Sequence, residues 1–118
     1  MSLTIWHNPR CSKSRQTLAL LKEHGHEPVI RLYLQDCPTR DEIAEVLNLL
    51  ELEPSQLIRK GEAAFKDLGL SKSSDEAELL SAMATNAVLI ERPIVFSDNR
   101  AAIGRPPENV LGLLASKN

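Results

Sequence analysis

Residues 3–34, LTIWHNPRCSKSRQTLALLKEHGHEPVIRLYL, decide the fold. Leu3-Thr4-Ile5-Trp6-His7 is β-branched and aromatic and stops at Asn8-Pro9, a turn signal, so it is expected to be a strand. From Ser12 a helical stretch runs to about His24, with Leu18 and Leu21 on one side and Gly25 just past the end as a C-terminal cap. Pro28 to Leu34 reads as a second strand. Strand, helix, strand in that order is a βαβ unit, whose strands run parallel and whose crossover is right-handed.

Beyond it the period changes. Thr39 with Glu42 three residues later, after Pro38, has the form of a capping box, and Ile43, Val46, Leu47 and Leu50 then repeat as one face of an amphipathic helix. Pro54 opens a short segment to about Lys60, and helical pieces follow near 62–68 and 75–86, the latter with Leu79, Leu80 and Met83. Ile94-Val95-Phe96 is a strand, Ser97 to Arg100 a turn, and Ala101 to Gly104 its hairpin partner. Pro106-Pro107 start a last helix from Glu108 to about Ala115. The expected architecture is α/β: βαβ, a helical insert over about 39–86, then ββα, giving a four-stranded mixed sheet flanked by helices. The sequence holds no internal repeat, low-complexity run or linker, so 1–118 reads as a single domain.

Composition narrows the chemistry. With 42% hydrophobic and 25% charged residues the chain matches a soluble globular average. A formal net charge of −2, with only Trp6, Tyr33, Phe65 and Phe96 as aromatics, argues against a nucleic-acid-binding surface. The longest uncharged apolar stretch, Leu79 to Ile90, is 12 residues, short of the roughly 20 that a membrane-spanning helix needs. The N-terminus lacks a signal-peptide pattern, and two cysteines make neither a disulfide scaffold nor a metal cluster. The expected location is the cytoplasm, where a cysteine that matters is chemical rather than structural.

Cys11 is the candidate, although a free cysteine is also commonly a small buried hydrophobe. Arg10, Lys13, Arg15 and Lys22 precede the first acid of the chain, Glu23, and Cys11 stands among them where the turn gives way to the helix. Unpaired N–H groups and the dipole at a helix start favour a thiolate, and the same N–H groups can cradle an oxyanion. Cys11-Ser12-Lys13-Ser14 keeps the attacking cysteine of a Cys-x-x-Cys motif and puts a hydroxyl in place of the second. Such a site must be reduced by an external thiol. Arg59, Arg92 and Arg105 each lie beside a change of chain direction, and guanidinium forks match tetrahedral oxyanions bidentately. Read separately, each arginine is more often a surface ion-pair partner. No nucleotide or flavin fingerprint is present.

These residues together identify a family resemblance. His7-Asn8-Pro9-Arg10-Cys11-Ser12-Lys13-Ser14-Arg15, Leu32-Tyr33-Leu34, Pro38-Thr39-Arg40, Leu57-Ile58-Arg59-Lys60, Glu91-Arg92-Pro93-Ile94-Val95 and Gly104-Arg105-Pro106 resemble the glutaredoxin-linked arsenate reductases, in the subgroup with Cys-Ser-Lys-Ser. The likeness spans nearly the whole chain. It implies a thioredoxin-like fold, arsenate as substrate attacked by Cys11, and Arg59, Arg92 and Arg105 holding the oxyanion. It further implies that His7 and Ser14 support the thiolate, to which the nearby charge of Arg15 adds, and that Pro93 is a cis proline facing Cys11. Glutathione would be the co-substrate and glutaredoxin the partner, with no bound cofactor or metal. Cys37 has no role in this pattern and is expected to face solvent. Two rival readings use the same scaffold: a monothiol oxidoreductase acting on other thiol and disulfide substrates, and a binding regulator similar to the Spx type, against which Ser14 in place of a second cysteine argues.

Overall fold

A computed structural model of the chain describes residues 3–71 and 74–115. The chain folds as two compact units: 1–33 with 92–118, and 34–91.

The first unit is built on a sheet. β1 (Thr4–Trp6) is followed by α1 (Ser12–Glu23) and β2 (Val29–Arg31), and β1 pairs parallel with β2. β3 (Ile94–Phe96) lies antiparallel on the other side of β1, and β4 (Ala101–Ile103) pairs antiparallel with β3, giving the order β2-β1-β3-β4. This is the expected four-stranded mixed sheet. Leu3, Ile5, Leu21, Val95, Val110 and Leu113 form its core, with Leu18, Leu20 and Ala102 packed against it. Burying these apolar faces of sheet and helix is what holds the layers together. Gly25 ends α1 at φ +83: His26 donates to the Leu21 carbonyl and Gly25 to that of Lys22, a Schellman arrangement whose left-handed residue favours glycine.

Two boundaries differ from the sequence expectation. The second strand, expected over 28–34, is only Val29–Arg31. Its hydrogen bonds to the first strand end where His7 N–H meets the Arg31 carbonyl, because the first strand turns away at Asn8 and leaves Leu32 with nothing to pair on. The last helix begins as a 3-10 turn over Pro107–Val110 and becomes α-helical only in α2 (Leu111–Ala115), since consecutive prolines remove two N–H donors from its start.

The second unit is helical: α3 (Arg40–Leu50), α4 (Pro54–Leu57), α5 (Ala63–Asp67), α6 (Glu76–Thr85) and a 3-10 turn over Ala87–Leu89. The capping box foreseen at Thr39 is present: Glu42 N–H donates to Thr39 Oγ1 at 3.1 Å and Thr39 N–H donates to Glu42 Oε1 at 2.8 Å. Ile43, Val46 and Leu47 are buried, α3 packs on α6, and Leu79 and Met83 of α6 are also buried. An antiparallel bridge joins Ile58 to Ile90, with Arg59 N–H on the Leu89 carbonyl and Glu91 N–H on the Leu57 carbonyl. Nothing in the sequence pattern announced that bridge.

Among the described residues no helix is long and apolar enough to cross a membrane, and no three His, Cys, Asp or Glu side chains gather as a metal site.

Candidate active site

Asn8 folds the chain toward the helix. Its carbonyl accepts the Cys11 N–H at 3.0 Å and its Oδ1 accepts the Arg10 N–H at 3.0 Å, so both ends of Asn8 hold the turn. Cys11 is the N-terminal cap residue of α1, in extended backbone conformation, with no side-chain cap hydrogen bond and no acid in the first turn. The side chain is buried.

Several groups act on its thiol. Burial raises the pKa, because a charged sulfur loses water. Against that act the Ser14 N–H, the Arg92 guanidinium by hydrogen bond and by charge, and the Lys13 N–H. The balance lies below the ordinary thiol value, so the thiolate forms more readily than on a free cysteine. Arg105 Nη2 stands 3.9 Å from Sγ, and its Nε donates to the Arg92 carbonyl at 2.7 Å. Arg92 and Arg105 therefore meet at Cys11, although 13 positions separate them in the chain.

Ser14 supports the site from below. Its hydroxyl, fully buried, accepts the Asn8 N–H at 3.0 Å and shares a proton with His7 Nδ1 at 2.7 Å, in a direction set by the imidazole tautomer. Its contact with the thiol is through the main-chain N–H. Burial first, then the charges of Arg15 and Lys22, hold the His7 pKa below its ordinary value, so His7 is neutral at pH 7. Arg15 reaches the Pro9 carbonyl with Nη1 at 2.9 Å. It thus braces the turn that carries Cys11, and its charge bears on His7 rather than directly on sulfur.

Pro93 is preceded by a cis peptide bond, as is Pro106. The first was an expectation; the second was not foreseen. Two residues that sequence reasoning passed over also shape the site. Gly104 is buried against Thr17 and Pro93, and its N–H donates to the Pro93 carbonyl at 2.9 Å. Thr17 is fully buried and donates to the Lys13 carbonyl at 2.8 Å. The available signal was a glycine directly before Arg105.

Arg59 belongs to the second unit. Its Nε donates to Glu62 Oε2 at 3.0 Å and its Nη1 to Glu91 Oε1 at 2.8 Å. The Ile58–Ile90 bridge makes the second pair possible by setting Arg59 and Glu91 side by side. A cleft of about 370 Å³ is lined there by Ile58, Arg59, Lys60, Gly61, Glu62 and Glu91. Cys37, in the same unit, is exposed, with Sγ 4.0 Å from the Leu34 carbonyl.

Residues 6–113 match the model of the ArsC family. The chain is 46% identical over 112 residues to YfgD of Escherichia coli K12, described as uncharacterized, covering 93% of this chain and 94% of that one. It is 44% identical over 116 residues to an arsenate reductase of Haemophilus influenzae, covering 97% of this chain and all of the relative. The solved structure of an arsenate reductase from Vibrio cholerae superposes with a TM-score of 0.91 at 43% identity, over 95% of this chain and 97% of that one.

Proposed function

The chain belongs to the ArsC family, and from that membership we propose that it is an arsenate reductase that works through a Cys11 adduct. The observation that carries the reading is a buried thiol at a helix start, its pKa lowered by two backbone N–H groups and Arg92, with Arg105 alongside.

The steps follow from those groups. The Cys11 thiolate attacks arsenic(V); an As–S bond forms and one arsenate oxygen leaves as water after taking up two protons. The N–H groups of Lys13 and Ser14 and the guanidinium groups of Arg92 and Arg105 take up charge on the remaining oxygens and hold sulfur and arsenic in line. A glutathione thiolate then attacks Cys11 Sγ. The As–S electron pair stays on arsenic, which becomes arsenic(III), while an S–S bond forms between Cys11 and glutathione. Glutaredoxin takes the glutathionyl group by thiol–disulfide exchange and frees the Cys11 thiolate. Ser14 cannot resolve that disulfide, so the external thiols are required. Both are cytoplasmic reductants, which is where we assign the protein.

The role of Arg59 as a third oxyanion ligand rests on the sequence resemblance and is part of this proposal. The test is arsenate-dependent NADPH oxidation coupled through glutathione, glutaredoxin and glutathione reductase. Turnover that needs arsenate and both thiols supports the reading. Turnover of a glutathionylated substrate with none of arsenate would replace it with the monothiol oxidoreductase.

A further inference from the structure

Gly104 lies where α1, Pro93 and the end of β4 come together, and no side chain fits there. A Cβ on residue 104 would collide with Thr17 Oγ1 and stand 2.9 Å from Pro93 Cγ and 3.1 Å from Thr17 Cγ2. None of these atoms is the loose end of a flexible chain. Thr17 is β-branched, fully buried and held by its hydroxyl on the Lys13 carbonyl, and the Pro93 ring is buried. Gly104 is further fixed by its N–H on the Pro93 carbonyl. The very next residue is Arg105, with Nη2 on Cys11 Sγ and Nε on the Arg92 carbonyl.

We infer that the Gly104–Thr17 contact is a positioning device: it sets the distance at which Arg105 faces Cys11, and so how strongly the site attracts an anionic reactant. Thr17 works on both sides of the thiol. Its hydroxyl holds the first turn of α1 at Lys13, whose N–H faces Cys11, and its methyl and hydroxyl together form the wall that Gly104 touches. Any side chain at 104 pushes the loop outward and takes the guanidinium with it. The consequence for arsenate rests on the reductase reading above; the consequence for Cys11 chemistry does not.

The experiment therefore reads both. Alkylation of Cys11 is followed with anionic iodoacetate and with neutral iodoacetamide, and the ratio of the two rates reports the positive field at sulfur. Arg105→Ala sets the floor of that ratio. Gly104→Ala is expected to lower the ratio toward that floor, with iodoacetamide alone changing little, and to raise the arsenate KM by about tenfold or more with a smaller change in kcat. Thr17→Ala combined with Gly104→Ala removes Oγ1 and Cγ2 from the path of the new methyl group; measured against Thr17→Ala alone, which by itself gives up the hold on the Lys13 carbonyl, it is expected to restore most of the ratio and the KM. Gly104→Ala with a wild-type ratio overturns the inference, as does a double variant that regains thermal stability but not the ratio. If Gly104→Ala fails to fold, the double variant against Arg105→Ala decides alone. A wild-type protein with the high ratio but no arsenate turnover overturns the reductase reading instead, which keeps the two failures apart.

Discussion

Two kinds of helix start occur in this chain. In the helical unit, α3 and α6 begin with complete capping boxes, Thr39 with Glu42 and Asp75 with Glu78, and both carry acids in the first turn. Their free N–H groups are satisfied by oxygen and their dipoles meet negative charge, an arrangement that favours stability. In the sheet unit, α1 has no side-chain cap and no first-turn acid. The N–H groups of Lys13 and Ser14 act on sulfur instead. The same physics serves two ends: a cap stabilises the helix when its acceptor is a spectator, and lowers a thiol pKa when its acceptor is Cys11. On the proposed mechanism the site forgoes a better cap to keep a nucleophile, a common exchange where stability and activity compete.

That comparison breaks most sharply at Cys11. Cys11→Ser places a good cap where a poor one stood, so turnover is expected to vanish while chemical denaturation shows stability held or raised by up to about 1 kcal/mol. Measurable arsenate reduction by that variant would mean that another group attacks. Next in size are the arginines. Arg92→Ala and Arg105→Ala are each expected to lower arsenate kcat/KM by about 10–1000-fold, and Arg59→Ala likewise if its proposed role holds. Lysine in their place keeps the charge but loses the fork, so incomplete rescue is the expected result. Steady-state kinetics on the six variants settles both points.

The pH dependence follows from the direction of the Cys11 shift. Iodoacetamide alkylation is expected to rise with pH and level off at a midpoint below the ~8.5 of a free thiol, and Arg92→Ala should move that midpoint up. Because the folded pKa lies below the unfolded one, the thiolate adds stability that is fully present above the unfolded value and is lost as pH falls through the folded value. Cys11→Ser should lack that component in a stability-versus-pH series. On the other side of the comparison, Thr39→Ala is expected to cost about 1 kcal/mol in a denaturation midpoint while activity stays within about twofold. A large activity loss there would show that the capped helix does more than stabilise. The smallest effect is expected at Cys37, which is exposed: Cys37→Ser should keep coupled turnover within about twofold. Loss of turnover, or a Cys11–Cys37 disulfide seen by mass spectrometry after one arsenate turnover, would point to an internal resolving thiol.

The helix starts also show how far local pattern reaches. Thr39–Glu42 is legible because a cap and its partner lie three residues apart and satisfy each other. Asp75–Glu78 has the same spacing and is equally complete, with Asp in place of Ser or Thr as the cap. Cys11 stands out because a turn, a helix start and cations coincide within a few residues. By contrast, the second strand was expected to run to Leu34, since Leu32-Tyr33-Leu34 is as apolar as its neighbours. Its true end is set by where the first strand stops offering hydrogen bonds, and that is a property of the pair.

What the sequence by itself determined is therefore whatever has its cause within about one helical turn: the βαβ order, the Thr39 cap, the Gly25 stop and the placing of Cys11 at a helix start. The tertiary structure alone decided which distant groups meet. Arg105 reaches sulfur 94 positions away in the chain, Arg59 finds Glu91 across the Ile58–Ile90 bridge, and Gly104 fits against Thr17 where no Cβ has room. Side-chain periodicity and capping act through bonds a few residues long, so they leave a local trace. Close approach between separate elements depends on how whole surfaces pack, and a chain read in order carries no local mark of it.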